Sequence, residues 1–350
     1  KHMHVYNAIL GYDSDVIIKN ALVNMYARFS NLSCAWQTFQ DILRRTVVSW
    51  TTLISAYLQH DLSKEAIQFF KQMLLECVLP DNVTFVNVFS ACTKNNSLLE
   101  GKRMHSCFLC SDCGLDETVH NAILHLYGKS GNLKDARKMF ESMEKRDLIS
   151  WNAMISTYVD HGQGEKALHL YKQMQHEGIQ PNELTYAMSL QACGILAESE
   201  ESCLLEGQLI KVISLHIGQI LHGDLRAKGL HSDVFVGTAL LTMYGKCRAI
   251  TEAESAFFSL SQQDVVAWNA LMSAYLEQRE GRKALQVYNQ IHEKGMNPGQ
   301  ITFVLALQAC GTLAESGESI SQNDQPILLI SLHIGKVLHA DAQRKGLVSD

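Results

Sequence analysis

Between Leu148 and Asn182 the apolar residues fall at helical spacing. Trp151, Met154, Ile155 and Tyr158 stand at i, i+3, i+4 and i+7, one stripe of a 3.6-residue helix. Gly162 and Gly164 punctuate it. Ala167, Leu168, Tyr171 and Met174 then make a second stripe, Gly178 ends it, and Pro181 blocks its continuation. The pattern predicts two short helices joined by a tight turn. Neither is long enough to be stable alone, so each must bury its stripe against a neighbour.

The same pattern recurs. "LISWNAMISTY" (Leu148 to Tyr158) answers to "VVSWTTLISAY" (Val47 to Tyr57) and "VVAWNALMSAY" (Val265 to Tyr275). A second unit type begins "KNALVNMYARFSNL" (Lys19), "HNAILHLYGKSGNL" (His120) and "GTALLTMYGKCRAI" (Gly237). A third carries "TFVNVFSACT", "TYAMSLQACG" and "TFVLALQACG", from Thr84, Thr185 and Thr302. Laid end to end, the units tile the chain: 1–15 as the end of a long unit, then 16–46, 47–81, 82–116, 117–147, 148–182, 183–233, 234–264, 265–299 and 300–350. The short units measure 31 residues, the standard ones 35, and the long ones 35, 51 and 51. A cycling helix-turn-helix array predicts an all-α fold, an α-solenoid of stacked repeats.

Composition agrees. Hydrophobic residues make up 47% and prolines number four, which favours helices with a continuous core. There is no apolar run of about eighteen residues to span a membrane. No secretory signal is visible, and the opening "KHMH" predicts that any targeting segment lies outside this chain. Of the ten cysteines, Cys92, Cys193 and Cys310 occupy one repeated site, as buried small apolar side chains do. A reducing compartment fits that usage. The formal charge of −6 argues on its face against a nucleic-acid partner.

The units resemble pentatricopeptide repeats, specifically the plant class in which standard, long and short motifs alternate. The run "SWNAMISTYVDHGQGEKALHLYKQMQHEGIQPN" (Ser150 to Asn182) matches the standard motif nearly end to end. "GKRMHS" (Gly101), "IGQILHG" (Ile217) and "IGKVLHA" (Ile334) match the second helix of the long motif, and "NALVNMYARFSNL" matches the short one. The resemblance covers the whole chain. It implies a monomer that binds single-stranded RNA in a mitochondrion or chloroplast and specifies cytidine-to-uridine editing sites, with an editing deaminase or other editing factors as partners. It implies no cofactor and no membrane.

The residue after the Trp is that family's fifth motif position, which faces the concave groove and reads a base together with the motif's last residue. Trp151 lies on the buried stripe, so Asn152 is turned about 100° away from it. An Asn amide donates and accepts and pairs with a pyrimidine edge; Thr is shorter and leaves room for a purine. Carried over motif by motif, Asn20 with Thr46 implies a pyrimidine, Thr51 with Asp81 G, and Asn121 with Asp147 U. Asn152 with Asn182 implies a pyrimidine and Thr238 with Asp264 G. Asn269 with Gly299 departs from the pattern, and a pyrimidine is kept there. Val86, Ala187 and Val304 leave the long motifs' bases open. The implied site is 5′-Y-G-N-U-Y-N-G-Y-N-3′. The second position (Ile17, Val48, Val83, Ile149, Leu184, Phe235, Val266 and Ile301, with Thr118 the exception) wedges between neighbouring bases in that family, an aliphatic stacking platform.

Two long motifs carry sixteen extra residues between their helices, roughly 198–213 and 315–330. The first holds Glu198, Glu200, Glu201 and Glu206 against Lys211, and the second Glu315, Glu318 and Asp324 with no base. Each therefore carries −3, and the repeat body is about neutral. Non-specific affinity is then modest and base contacts must carry the binding. The inserts read as surface loops whose apolar ends extend the second helix, or as docking segments for a protein.

Other motifs are weaker. Cys107, Cys110 and Cys113 have C-x-x-C-x-x-C spacing, but lie in a helix and its end, fan over a wide arc and lack a fourth ligand, so no metal is assigned. "GQGEKA" (Gly162) mimics a dinucleotide loop but follows a helix. His105, His222 and His339 recur at one site, which points to packing or a local hydrogen bond. Sequons at Asn31, Asn82 and Asn95 carry no weight without a signal. A zinc deaminase needs H-x-E with P-C-x-x-C, and neither occurs, so catalysis is not expected and any deaminase domain lies outside this chain. The rival to RNA binding is a protein-binding scaffold of tetratricopeptide type, whose uniform 34-residue period differs from the alternation here.

Overall fold

The computed structural model describes residues 15–205 and 208–315 except Asp112 and Leu115, together with Gly335, Lys336 and Gln343. Among the described residues the fold is a solenoid of helical hairpins with one addition, a two-stranded antiparallel ribbon in the first insert. Its contacts form two compact units, Lys1–Thr157 and Tyr158–Asp350.

In the first unit α1 (Val16–Arg28) pairs with α2 (Leu32–Gln40), α3 (Val47–Gln59) with α4 (Ser63–Leu75), α5 (Asn82–Lys94) with α6 (Leu98–Leu109), and α7 (Glu117–Lys129) with α8 (Leu133–Ser142). The unit ends within α9 (Leu148–Asp160). Successive first helices pack side by side, α1 on α3, α3 on α5 and α5 on α7. In the second unit α10 (Gly164–His176) packs on α11 (Glu183–Ser199). The ribbon β1 (Cys203–Leu205) and β2 (Gln208–Ile210) leads into α12 (Val212–Ala227), and α13 (Val234–Lys246), α14 (Ile250–Ser259), α15 (Val265–Glu277), α16 (Gly281–Glu293) and α17 (Gln300–Glu315) follow. The first helices α11, α13, α15 and α17 form a second row.

Each first helix starts at the first residue of a sequence unit because the residue before it can cap. Thr46, Asp81 and Asn182 form capping boxes with Ser49, Thr84 and Thr185. Asp15, Asp116, Asp233 and Asp264 accept from backbone N–H groups in the first turn. The Trp rings anchor the stack. Trp50, Trp151 and Trp268 are buried, each edge-on to a Phe of the preceding second helix (Phe39, Phe140, Phe257) at 4.6–4.8 Å. Second helices come close to the next first helix where Gly opens them. A Cβ on Gly281 would lie 2.6 Å from the Ala309 carbonyl oxygen, and one on Gly164 would collide with that of Ala192. Gly164 is thus a contact point rather than punctuation; the left-handed turn belongs to Gly162 (φ +68°).

The second stripe of 148–182 also shifts. Ala167, Leu170, Tyr171 and Met174 are the buried set, while Leu168 is half-buried. That choice keeps the i, i+3, i+4, i+7 spacing that Leu168 breaks. The first insert is not a plain loop. It lengthens α11, turns through the ribbon, and ends with Val212 and Ile213 opening α12. The second insert lies outside the described residues beyond Glu315, as do residues 1–14 and His339.

Candidate nucleic-acid interface

Eight large apolar side chains stand in solvent at one place in the repeat, the second residue of a first helix. Ile17, Val48, Val83 and Ile149 lie in the first unit, and Leu184, Phe235, Val266 and Ile301 in the second, exposed by 46% to 78%. The buried Trp two residues further on marks the opposite face in the standard motifs. Scattered exposed apolar residues are ordinary, but these recur at one repeat position within each unit. Thr118 departs from it and folds back, its N–H and hydroxyl both donating to Asp116 Oδ1. In the second unit Leu184 and Phe235, with Asn182, Glu183 and Leu230, line a cleft of about 340 Å³.

The fifth residues do not point into open solvent. They sit at the seam between one first helix and the next. Thr51 Oγ1 lies 2.7 Å from Thr84 Oγ1 of the following helix. Thr84 spends its own hydrogen on Asp81 Oδ1 at 2.6 Å, so Thr51 is the donor and keeps its lone pairs. Thr238 reaches the same state another way, donating to the Val234 carbonyl at 2.6 Å. Both threonines therefore present acceptors.

The asparagines carry unfinished hydrogen bonding. Asn121 Nδ2 donates to Asp147 Oδ1 at 3.5 Å, which joins the fifth and last residues of one motif. Its Oδ1 is buried without a partner, and so are Asn20 Oδ1 and Asn269 Oδ1. Such orphaned acceptors are rare in native interiors and cost about 1–3 kcal/mol each. Asn152 differs in degree: only 7% of it is exposed, so it lies within the seam. The turn away from Trp151 leads into the interhelical seam, as Thr51 shows, rather than to the outer surface.

The last residues serve first as caps. Asp81 Oδ1 accepts from the Thr84 N–H at 2.8 Å, Asp147 Oδ1 from Ser150 at 2.8 Å, Asn182 Oδ1 from Thr185 at 3.0 Å, and Asp264 Oδ1 from Ala267 at 2.9 Å. Thr46 does the same for Ser49 at 3.4 Å. Gly299 has no side chain to offer.

Elsewhere the repeated polar residues are structural. His105 and His222 Nδ1 each lie 2.8 Å from a tyrosine hydroxyl, Tyr127 and Tyr244. Burial lowers the His105 pKa and takes that of His222 down to about 4. Burial pushes the Cys92 thiol up to about 12. Cys107 is half-buried, Cys110 exposed at a helix end, and Cys113 donates to the Pro80 carbonyl. Among the described residues no group of three His, Cys, Asp or Glu could hold a metal ion, and no helix is long and apolar enough to cross a membrane.

Comparison with known proteins places this arrangement. The model described as "PPR repeat family" matches residues 45–94, 146–194 and 263–312, and that described as "PPR repeat" matches 118–148. Together they take in just over half of the chain. Among curated relatives in Arabidopsis thaliana, one pentatricopeptide repeat-containing protein is 34% identical over 304 residues, 87% of this chain and 39% of its own. A chloroplastic one is 33% identical over 91% of this chain and 38% of its own, and a mitochondrial one 33% over 87% and 45%. The chain thus spans less than half the length of these relatives. In fold it is similar to PPR10 crystallised in complex with an 18-nt psaJ RNA element, with TM-score 0.57, 17% identity, and coverage of 94% of this chain and 51% of that one.

Proposed function

The chain belongs to the pentatricopeptide repeat family, and from that premise we propose that it binds single-stranded RNA by sequence in a plant organelle and marks a site for cytidine-to-uridine editing. One observation carries the RNA part. The exposed apolar row is in register with fifth-position side chains that hold unspent acceptors at Asn20, Asn121 and Asn269. Bases slotted between successive apolar wedges would bring an edge to each. The acceptors are already desolvated by folding, so a base N–H gains the bond without that cost.

The chemistry at Thr51 and Thr238 favours the proposed G. With their hydrogens spent inside the protein, both threonines ask for a donor, and guanine offers two kinds, N1–H and the 2-amino group. The proposed ligand is 5′-Y-G-N-U-Y-N-G-Y-N-3′, with Asn20 and Thr46 at its 5′ end and Asn269 near its 3′ end. PPR10 was crystallised with RNA, and relatives are named chloroplastic or mitochondrial, which supports the ligand class and the compartment. Base conversion falls to a deaminase partner.

Fluorescence anisotropy at fixed salt tests this, with the nine-base site in a longer strand against the same strand with G and U exchanged. A preference of about fivefold to tenfold per confident base is expected, the size of a net hydrogen bond of about 1 kcal/mol or slightly more. Asn121→Thr should shift the fourth base from U toward a purine. Equal weak binding to both strands would sink the proposal and bring the protein-scaffold alternative forward.

A further inference from the structure

The long motif 82–116 has Val86 where a base edge would be met, and an apolar side chain cannot hydrogen-bond to a base. One helical turn before Val86, on the same face of α5, stands Asn82. Its Nδ2 donates to Asp116 Oδ2 at 2.9 Å. Its Oδ1 is buried without a partner. Asp116 is the last residue of the motif. Asn121 makes the same arrangement with the last residue of its own motif: amide nitrogen to carboxylate, at 3.5 Å, and an orphaned Oδ1.

The amide of Asn82 cannot be turned over. Asp116 Oδ1 is taken by the N–H and hydroxyl of Thr118, and Oδ2 by the Asn82 amide. A flipped amide would set oxygen against a carboxylate that those hydrogen bonds hold below the usual carboxylate pKa range. The nitrogen therefore faces Asp116, and the oxygen is the group left over. A carbonyl oxygen removed from water with no donor is a deficit that a ligand can make good.

We infer that Asn82 is a base-contacting residue of this long motif, taking from the first position the part that Val86 cannot play, with Asp116 as its positioning partner. The atoms offered are those Asn121 and Asp147 offer, so the third base of the site is U, its N3–H donating to Asn82 Oδ1. This rests on the RNA-binding proposal above. The other long motifs have Glu183 and Gln300 at the first position, both exposed, so the inference is confined to 82–116.

The experiment uses the whole chain and four RNAs differing only at the third base, with a matching set varied at the fourth as internal control. The unmodified protein should bind U at the third base about fivefold to tenfold better than the other three, the size of one net hydrogen bond. Asn82→Ala should level the third-base series and leave the fourth-base preference intact; Val86→Ala should change neither. Circular dichroism shows whether Asn82→Ala folds, and Asn82→Thr gives a second variant. A level third-base series with the unmodified protein, alongside a clear fourth-base preference, overturns the inference and leaves the RNA proposal standing. Level series at both positions overturn both. Equal loss of affinity for all RNAs in Asn82→Ala, with third-base preference retained, makes the Asn82–Asp116 bond purely structural and also overturns it.

Discussion

The long motifs 82–116 and 183–233 are built alike at one end and differently at the other. In both, the cysteine (Cys92, Cys193) is fully buried, a histidine meets a tyrosine at 2.8 Å, and a glycine in the second helix (Gly101, Gly218) is pressed by the next first helix through Leu126 or Met243. The extra residues change none of this. They lengthen the first helix from 13 to 17 residues and the second from 12 to 16, and the ribbon joins the new ends. The exposed apolar residues and caps lie at the opposite end of the first helices. An array can thus accept an insert at the turn without disturbing the residues at the helix starts, because the two ends of a helix share no contacts.

The comparison breaks hardest in the shared core. Phe85→Ala in the first motif and Tyr186→Ala in the second remove buried rings, and each should cost about 3–5 kcal/mol in urea unfolding. A much smaller cost in 183–233 would mean that the insert has loosened its packing. Next in size is the joint that only the inserted motif possesses. Glu200 accepts from the Ile213 and Ser214 N–H groups at 2.8 and 2.9 Å and from the Ser214 hydroxyl at 2.6 Å, a charged cap on α12. The corresponding helix α6 has no side-chain cap. Glu200→Gln should cost about 1 kcal/mol and raise hydrogen exchange at Ile213 and Ser214 alone. An unchanged pattern there would show that the ribbon stands without the cap.

A pH effect is one the motifs share. His105 and His222 have depressed folded pKa values, so the unfolded chain binds more protons below about pH 6.5. Stability should be constant above that pH and fall as the pH drops through the window toward 4, and His222→Gln should flatten the fall without abolishing it. Melting temperatures from pH 7.5 to 4.5 decide; the same slope with and without His222 would place the titration elsewhere.

Much of the fold is legible because the repeat says it three times. Helix starts coincide with the repeat boundaries, the second position is picked out by the family resemblance, and the histidine pair shows through recurrence. What escapes is whatever depends on a neighbour across the seam. The ribbon in 198–213 has too few residues for alternation to be read. Asn82 sits inside a chance sequon, and its orphaned carbonyl exists only once Asp116 is brought to it. Asn152 looks like Asn121 in sequence, and burial alone separates them.

The caps have a further consequence. A side chain that closes each array unit must accept a hydrogen bond from the helix that follows, and few side chains can: Asp, Asn, Ser, Thr, with Gly tolerated. Thr46, Asp81, Asp116, Asp147, Asn182, Asp233, Asp264 and even Gly299 are drawn from that short set. Whatever vocabulary these positions have for a ligand was narrowed in advance by folding. Substitution there is confined to residues that also begin a helix, a duty from which the fifth position is free.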